Sequence, residues 1–178
     1  MLKGNLIQLR PVRRDDLDQV YSWHVDIANR GDYYPTGVRS QSEFYRRFEE
    51  SGFWGKDDGM LLIVEQDDQI VGHIEFFKTV AYLDEYELSY QIYEPEKRGQ
   101  GYTTEAVNLM VAYLFGRWKM NRIRLIIHPE NAASRRVAGK CGFTHEGTAR
   151  GAWYHQGRNH DMEVYALLRR EWEEALGE

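Results

Sequence analysis

Cysteine is almost missing from this chain of 178 residues: Cys141 stands alone, which excludes an internal disulfide and any cysteine-based metal cluster. Repeats, low-complexity tracts and stretches rich in proline and serine are missing too. With no linker to mark a boundary, a single domain over residues 1–178 is expected. No run approaches the ~20 apolar residues needed to span a bilayer, so no membrane partner is expected. The opening Met-Leu-Lys-Gly-Asn lacks an apolar signal stretch, which predicts a cytoplasmic protein. Positive charge is in short supply: 23 Lys and Arg against 28 Asp and Glu leave a net charge of −5. A nucleic-acid surface would want a basic stripe, so no nucleic-acid partner is expected. Six histidines are present, but none has a dense ligand spacing such as His-x-x-x-His on a helix, and no metal is expected.

Apolar residues make up 42% of the chain, enough at this length to bury a substantial core. Their periodicity lays out the elements. Asn5 to Arg10 alternates as a first strand, and Leu17, Val20, Tyr21, His24 and Ile27 recur at helical spacing from about Asp15. Residues 31–37 read as a loop, and Ser40 with Glu43 as a capping box opening a second helix that puts Phe44 and Phe48 on one face. Met60 to Glu65 and Gln69 to Lys78 form a hairpin around Asp67-Asp68, and a longer strand runs from about Leu83 to Tyr93. A third helix carries the stripe Ala106, Val107, Met110, Val111 and Leu114. Ile123 to His128 is a β-branched strand, Asn131 to Cys141 a short helix stopped by Gly142, and two strands around Gln156-Gly157 close the chain. Strand, helix, strand in the middle makes one parallel βαβ unit with antiparallel strands around it. The fold class is therefore α/β: a twisted mixed sheet flanked by about four helices.

Between the strand ending near Tyr93 and the helix starting at Thr104 lies Arg98-Gly-Gln-Gly-Tyr-Thr103. Two glycines at a strand-to-helix turn leave no side chains over the backbone amides. Those amides and the helix N-terminus can close on an anion, normally a phosphate. Gly-x-Gly also ends many strands for steric reasons alone, so the turn needs a second signal.

That signal is Asn131-Ala-Ala-Ser134-Arg-Arg-Val-Ala-Gly-Lys140-Cys-Gly142-Phe143. With Arg98-Gly-Gln-Gly101-Tyr-Thr-Thr-Glu-Ala and Glu87-Leu-Ser-Tyr-Gln-Ile92, it resembles the GNAT superfamily of acetyl-CoA-dependent N-acetyltransferases. The opening Ile7-Gln-Leu-Arg-Pro-Val-x-x-x-Asp16 and closing Gly157-Arg-x-x-Asp161 are similar to one branch of it. That branch holds ribosomal-protein N-terminal acetyltransferases, spermidine acetyltransferases and some antibiotic-modifying enzymes. The resemblance covers about residues 5–170 and rests on the ordered set of motifs more than on any one of them.

The resemblance implies acetyl-CoA as co-substrate and direct acetyl transfer to a primary amine: a protein N-terminus, a polyamine, an amino sugar or an antibiotic amine. Amides at Gly99, Gly101, Tyr102 and Thr103, with Arg98, would hold the pyrophosphate. Thr103 stands where the family usually has Gly or Ala. Pantetheine would lie between diverging strands near residues 88–93 and 123–128, with a backbone group at Ile92 or Tyr93 polarising the thioester carbonyl. A neutral amine must attack, so a base is needed. Glu87 is the leading candidate and Glu75 the substitute. Many relatives place a Tyr acid where this chain has Ala138, which leaves Ser134 as the group that could hydrogen-bond the departing sulfur. Asn131 would bond pantetheine, cap its helix, or both. The acceptor side is assigned to Tyr33, Tyr34, His73, Glu75 and Trp153, whose aromatic faces and carboxylate suit an ammonium group. His128 could line the same side, whereas His155 and His160 at the last hairpin are expected in solvent, and His24 and Cys141 in the core. The family is often dimeric, so a homodimer is an implied partner. The rival reading is a coenzyme-A-binding sensor module without catalysis, for which the absent Tyr leaves room.

Overall fold

The computed structural model describes residues 1–177, the side chain of residue 29 excepted. Its strands are β1 (Leu2–Lys3), β2 (Gln8–Pro11), β3 (Asp58–Val64), β4 (Ile70–Phe77), β5 (Glu85–Ile92), β6 (Arg122–Ile127), β7 (Thr144–His155) and β8 (Arg158–Leu168). The helices are α1 (Leu17–Val25), α2 (Ile27–Arg30), α3 (Gln41–Ser51), α4 (Tyr102–Arg117), α5 (Ala132–Lys140) and α6 (Arg169–Gly177). Hydrogen-bonded neighbours follow the order β1-β2-β3-β4-β5-β6-β8-β7. Strands β5 and β6 run parallel with α4 between them in the chain, so the mixed sheet holds the expected βαβ unit. Two compact units divide the chain, residues 1–77 with 89–109 and residues 78–88 with 110 onward. The division cuts through β5 and α4 rather than through a linker.

In the first unit β3 is buried from Gly59 to Val64 and lies antiparallel to both β2 and β4. Such a strand reads as one continuous apolar run because both of its faces are covered. Phe44, Phe53, Met60 and Tyr93 share its core with α1 residues Leu17 and Val20. Ser40 Oγ accepts the Glu43 N–H at 3.3 Å, which caps α3 as its sequence indicates. The expected first strand over 5–10 is corrected. The N–H groups of Asn5, Leu6 and Ile7 all donate to the Glu105 carboxylate, at 2.7, 2.8 and 2.8 Å, and the strand starts only at Gln8. Arg10 is buried and donates twice to Asp16, at 2.7 and 3.0 Å, and once to Asp68 at 2.8 Å. The Arg-Pro-Val-x-x-x-Asp signature is therefore a structural clamp, with bidentate geometry that suits a buried guanidinium.

The second unit packs β6 through Ile123, Leu125 and Ile127, alternating as a half-buried strand should. Strand β8 pairs antiparallel with both β6 and β7. Gln156 (φ 49°) and Gly157 (φ 82°) make the two-residue left-handed turn that matches strand twist in a hairpin. Asp161 Oδ1 accepts the Gly151 N–H at 2.8 Å and ties down the irregular stretch of β7. Helix α6 has no counterpart in the periodicity reading. Arg169 opens it by donating to the carbonyls of Phe115, Trp118 and Met120 at 2.8, 2.6 and 2.8 Å. The expected exposure of His155 is also corrected: it is buried, stacked at 4.2 Å on Trp153, while half-buried His160 sits 2.9 Å from His128. No helix among the described residues is long and apolar enough to cross a membrane.

Candidate active site

Helix α4 begins at Tyr102, directly after Gly99 (φ 78°) and Gly101 (φ 89°). Both glycines adopt the left-handed backbone that a side chain would strain. A methyl group at Gly99 would meet nothing within 4 Å, so the backbone there is bare to approach from outside. The Gly101 carbonyl accepts the first helical bond, from the Glu105 N–H at 3.1 Å. The N–H groups that follow it at the helix start have no intrahelical carbonyl, which leaves the positive end of the helix dipole at the turn. Tyr102 anchors this turn rather than facing a ligand. Its hydroxyl donates to Glu65 at 2.5 Å, and Lys97 donates to the other Glu65 oxygen at 2.7 Å. Arg98 likewise braces the turn, donating to the carbonyls of Ile92 at 3.3 Å and Tyr93 at 3.5 Å. Thr103 is half-buried in the first turn of α4.

Of the two amides expected to polarise a thioester, that of Tyr93 is committed. It donates to the Val71 carbonyl at 3.0 Å. The neighbouring Gly72 lets β5 come this close, because a methyl group there would lie 2.1 Å from the Gln91 carbonyl oxygen.

A cavity of about 340 Å³ opens in the same unit, with His24, Arg39, Arg47, His73, Glu75 and Tyr93 in its lining. Apolar walls come from Val20, Phe44, Phe53, Met60 and Phe77. His73 is buried, with Nδ1 2.8 Å from the Tyr93 hydroxyl and Nε2 3.0 Å from that of Tyr34. Burial holds His73 and His24 at about 4, neutral at physiological pH. Tyr34 and Tyr93 are pushed up, again mainly by burial, so both hydroxyls stay protonated. The Glu75 carboxyl is raised above the usual range by burial, although Arg47 and Arg39 pull the other way. It keeps part of its surface open, as a residue lining a recess should. Tyr34, His73 and Glu75 are thus gathered as the sequence suggested. Tyr33 stays exposed and Trp153 is stacked on His155. His24, Arg39 and Arg47 were missed as a group, since a loop arginine and a helix arginine look like solvated charges.

The second unit holds the remaining candidates. Glu87 is bound by Arg124, Nε at 3.1 Å and Nη2 at 3.0 Å, and Arg124 also reaches Glu85 at 2.9 Å. Burial raises the Glu87 carboxyl and Arg124 opposes the shift. Parallel pairing of β5 with β6 runs through Glu85↔Arg122, Tyr86↔Ile123 and Glu87↔Arg124. Asn131 caps α5, its Oδ1 accepting the Ser134 N–H at 3.0 Å, and Ser134 is half-buried one turn in. Ala138, at the position of the familiar Tyr acid, is fully buried. Cys141 is buried with its thiol pushed up to about 11, which makes it a poor nucleophile.

A mixed sheet with one parallel βαβ unit, whose helix opens directly after two left-handed glycines, defines the class of fold. The chain belongs to the acetyltransferase (GNAT) domain family, which matches residues 7–144. "Probable N-acetyltransferase YjcK" of Bacillus subtilis is 29% identical over 179 residues, covering 94% of this chain and 97% of its own. A GNAT-family acetyltransferase crystal structure from Bacillus anthracis superimposes with a TM-score of 0.78 at 25% identity, over 95% of this chain and 98% of that one. Spermidine N-acetyltransferase from Vibrio cholerae, solved with CoA and spermine, gives a TM-score of 0.82 at 19% identity, over 96% and 99% of the two chains, and shares the fold. The chain is an acetyl-CoA-dependent N-acetyltransferase.

Proposed function

We propose that residues 1–178 act as one catalytic domain in which amides from Gly99 to Thr103 hold the pyrophosphate of acetyl-CoA and the cavity lined by Glu75 and His73 receives a primary amine. The observation that carries this reading is the pair of left-handed glycines immediately before the 16-residue helix α4. Since the Tyr93 amide is taken by Val71, the Ile92 N–H is assigned to the thioester carbonyl oxygen. Asn131 and Ser134 are assigned to the pantetheine arm and the departing sulfur. Proton removal is reassigned from Glu87 to Glu75. Glu87 is bound by a guanidinium, whereas Glu75 lines the cavity without a hydrogen-bond or ion-pair partner among the described residues. A partly desolvated carboxyl with a raised pKa is the better base.

The amine nitrogen attacks the thioester carbonyl carbon, the N–C bond forms as the carbonyl π pair moves to oxygen, and collapse of that adduct breaks the C–S bond with sulfur leaving as a thiolate. The ammonium surrenders one proton to Glu75 before attack and a second as the tetrahedral adduct collapses. One of the two ends on the sulfur of CoA and the other in solvent.

Calorimetry with acetyl-CoA tests the carrier site, where Gly101→Asp should abolish binding by placing a side chain and a negative charge in the turn. Thiol release tests the base. Glu75→Gln should lower kcat by roughly 100-fold and flatten the acidic limb of the pH profile, an amount typical of general-base removal. Should Glu87→Gln alone produce that flattening, the assignment returns to Glu87.

A further inference from the structure

The acceptor cavity is lined by one group of each sign, Glu75 and Arg39, that are not tied to each other or to another side chain by a hydrogen bond or ion pair among the described residues. Arg39 and Arg47 act on Glu75 through the cavity, but the Glu75 carboxyl makes no hydrogen bond or ion pair among the described residues, and of Arg39, which is exposed, the backbone carbonyl accepts from the Tyr21 hydroxyl at 3.3 Å. The other charged groups cancel. Arg47 is ion-paired to Asp58, and His24 and His73 are held neutral by burial. The same cavity has an apolar wall from Phe44, Phe53, Met60 and Phe77. We propose that the acceptor is a free amino acid with an apolar side chain, its amine against Glu75 and its carboxylate against Arg39 inside this cavity of about 340 Å³.

Charge decides against the alternatives. A polyamine would bring two or more cations to a recess that offers one free carboxyl and already holds a free guanidinium. A peptide N-terminus would satisfy Glu75, but an amide in place of the carboxylate offers the Arg39 guanidinium only a neutral acceptor. An amino acid answers both groups and places its side chain on the aromatic wall. The cavity volume lies at the lower end of the range that small-molecule sites occupy, about 300–1,000 Å³, which suits a ligand of that size.

This inference rests on the acetyltransferase reading, and the experiment separates the two. Calorimetry with acetyl-CoA comes first, and absence of binding overturns both. Thiol release, with mass spectrometry of the product, then compares leucine, phenylalanine and methionine with their carboxamides and with spermidine. The free acids should exceed their amides in kcat/KM by roughly 10- to 100-fold, the range of one charge-assisted hydrogen bond. Arg39→Gln should collapse that ratio towards one, and Arg39→Lys should keep part of it. Arg39 is exposed and makes no side-chain bond, so the Gln variant is expected to fold. Acetyl-CoA binding with amides as good as acids, or with spermidine preferred, overturns the amino-acid assignment and leaves the acetyltransferase standing. An acid-over-amide ratio that survives Arg39→Gln overturns it as well.

Discussion

His73 offers a quantitative test of how the acceptor cavity is built. Its ring is fully packed, with one tyrosine hydroxyl on each nitrogen. A neutral imidazole can donate to one of them and accept from the other, whereas a protonated ring must donate to both. Burial therefore depresses its pKa from 6.5 to about 4. The sign follows from linkage. The unfolded chain takes up the proton below 6.5 and the folded chain refuses it until about 4, so stability from this group is complete above 6.5 and lost as pH falls. With those two values the loss between pH 8 and pH 5 is about 2 kcal/mol, rising to about 3 kcal/mol at pH 4. Urea unfolding at pH 8 and pH 5, on the wild type and on His73→Gln, isolates that contribution. The variant starts less stable because it packs less well, but its pH-dependent loss should be smaller than the wild type's by about 2 kcal/mol. Other titrating groups are common to both proteins, and of these His24, whose shift includes a smaller contribution from His73, is the one that the substitution also touches. Equal losses in the two proteins would mean that His73 is solvated, and the buried relay through Tyr34 and Tyr93 would not exist.

Two further outcomes are expected. Glu105→Gln removes the charge that three consecutive N–H groups at residues 5–7 share, and should cost about 2–3 kcal/mol in urea while raising amide exchange at those residues. Unchanged exchange there would show that the segment is held by something else. Asn131→Ser keeps an oxygen to cap α5 but removes the amide donor, so stability should stay within about 0.5 kcal/mol while affinity for CoA falls several-fold. If affinity is untouched, Asn131 is a cap and nothing more.

Elements with a local cause were legible in the sequence. Ser40 caps α3 because a hydroxyl fits the Glu43 N–H, and Gln156-Gly157 turns because a hairpin needs two left-handed residues; both are decided within four positions. Two of the misreadings, residues 5–7 and α6, came from partners far away in sequence. Residues 5–7 alternate like a strand, but Glu105, about a hundred positions on, takes their N–H groups and makes them a loop. Helix α6 was invisible because its apolar pattern is short and its first residue is fixed by carbonyls from residues 115–120. His155 reads as a hairpin-tip residue, yet stacking on Trp153 buries it, since a side chain two positions away shares its face of β7.

The carboxylates show most sharply why the site was only half legible. Glu75, Glu87 and Glu105 are the same letter on a strand, a strand and a helix. Glu105 stands in the first turn of α4, where an acid complements the helix dipole, and it serves as the receptor for a distant loop. Glu87 looked like the free base at the entrance to the cofactor strand, but the parallel register sets it opposite Arg124, whose guanidinium binds it. The pairing partner, 37 positions on, carries no mark that it will be adjacent. Glu75 sits opposite Met60 in the β3–β4 register, a neighbour that cannot neutralise it. Arg47 and Arg39 act on it only through the cavity, and burial still outweighs them, so its charged form gains from a cationic ligand. What distinguishes a catalytic acid from a structural one here is therefore the residue across the strand, a pairwise property that periodicity along one strand does not contain. The same reasoning marks Arg39: a cation and a carboxyl lining one cavity without a hydrogen bond or ion pair between them describe a ligand more closely than either residue type does alone.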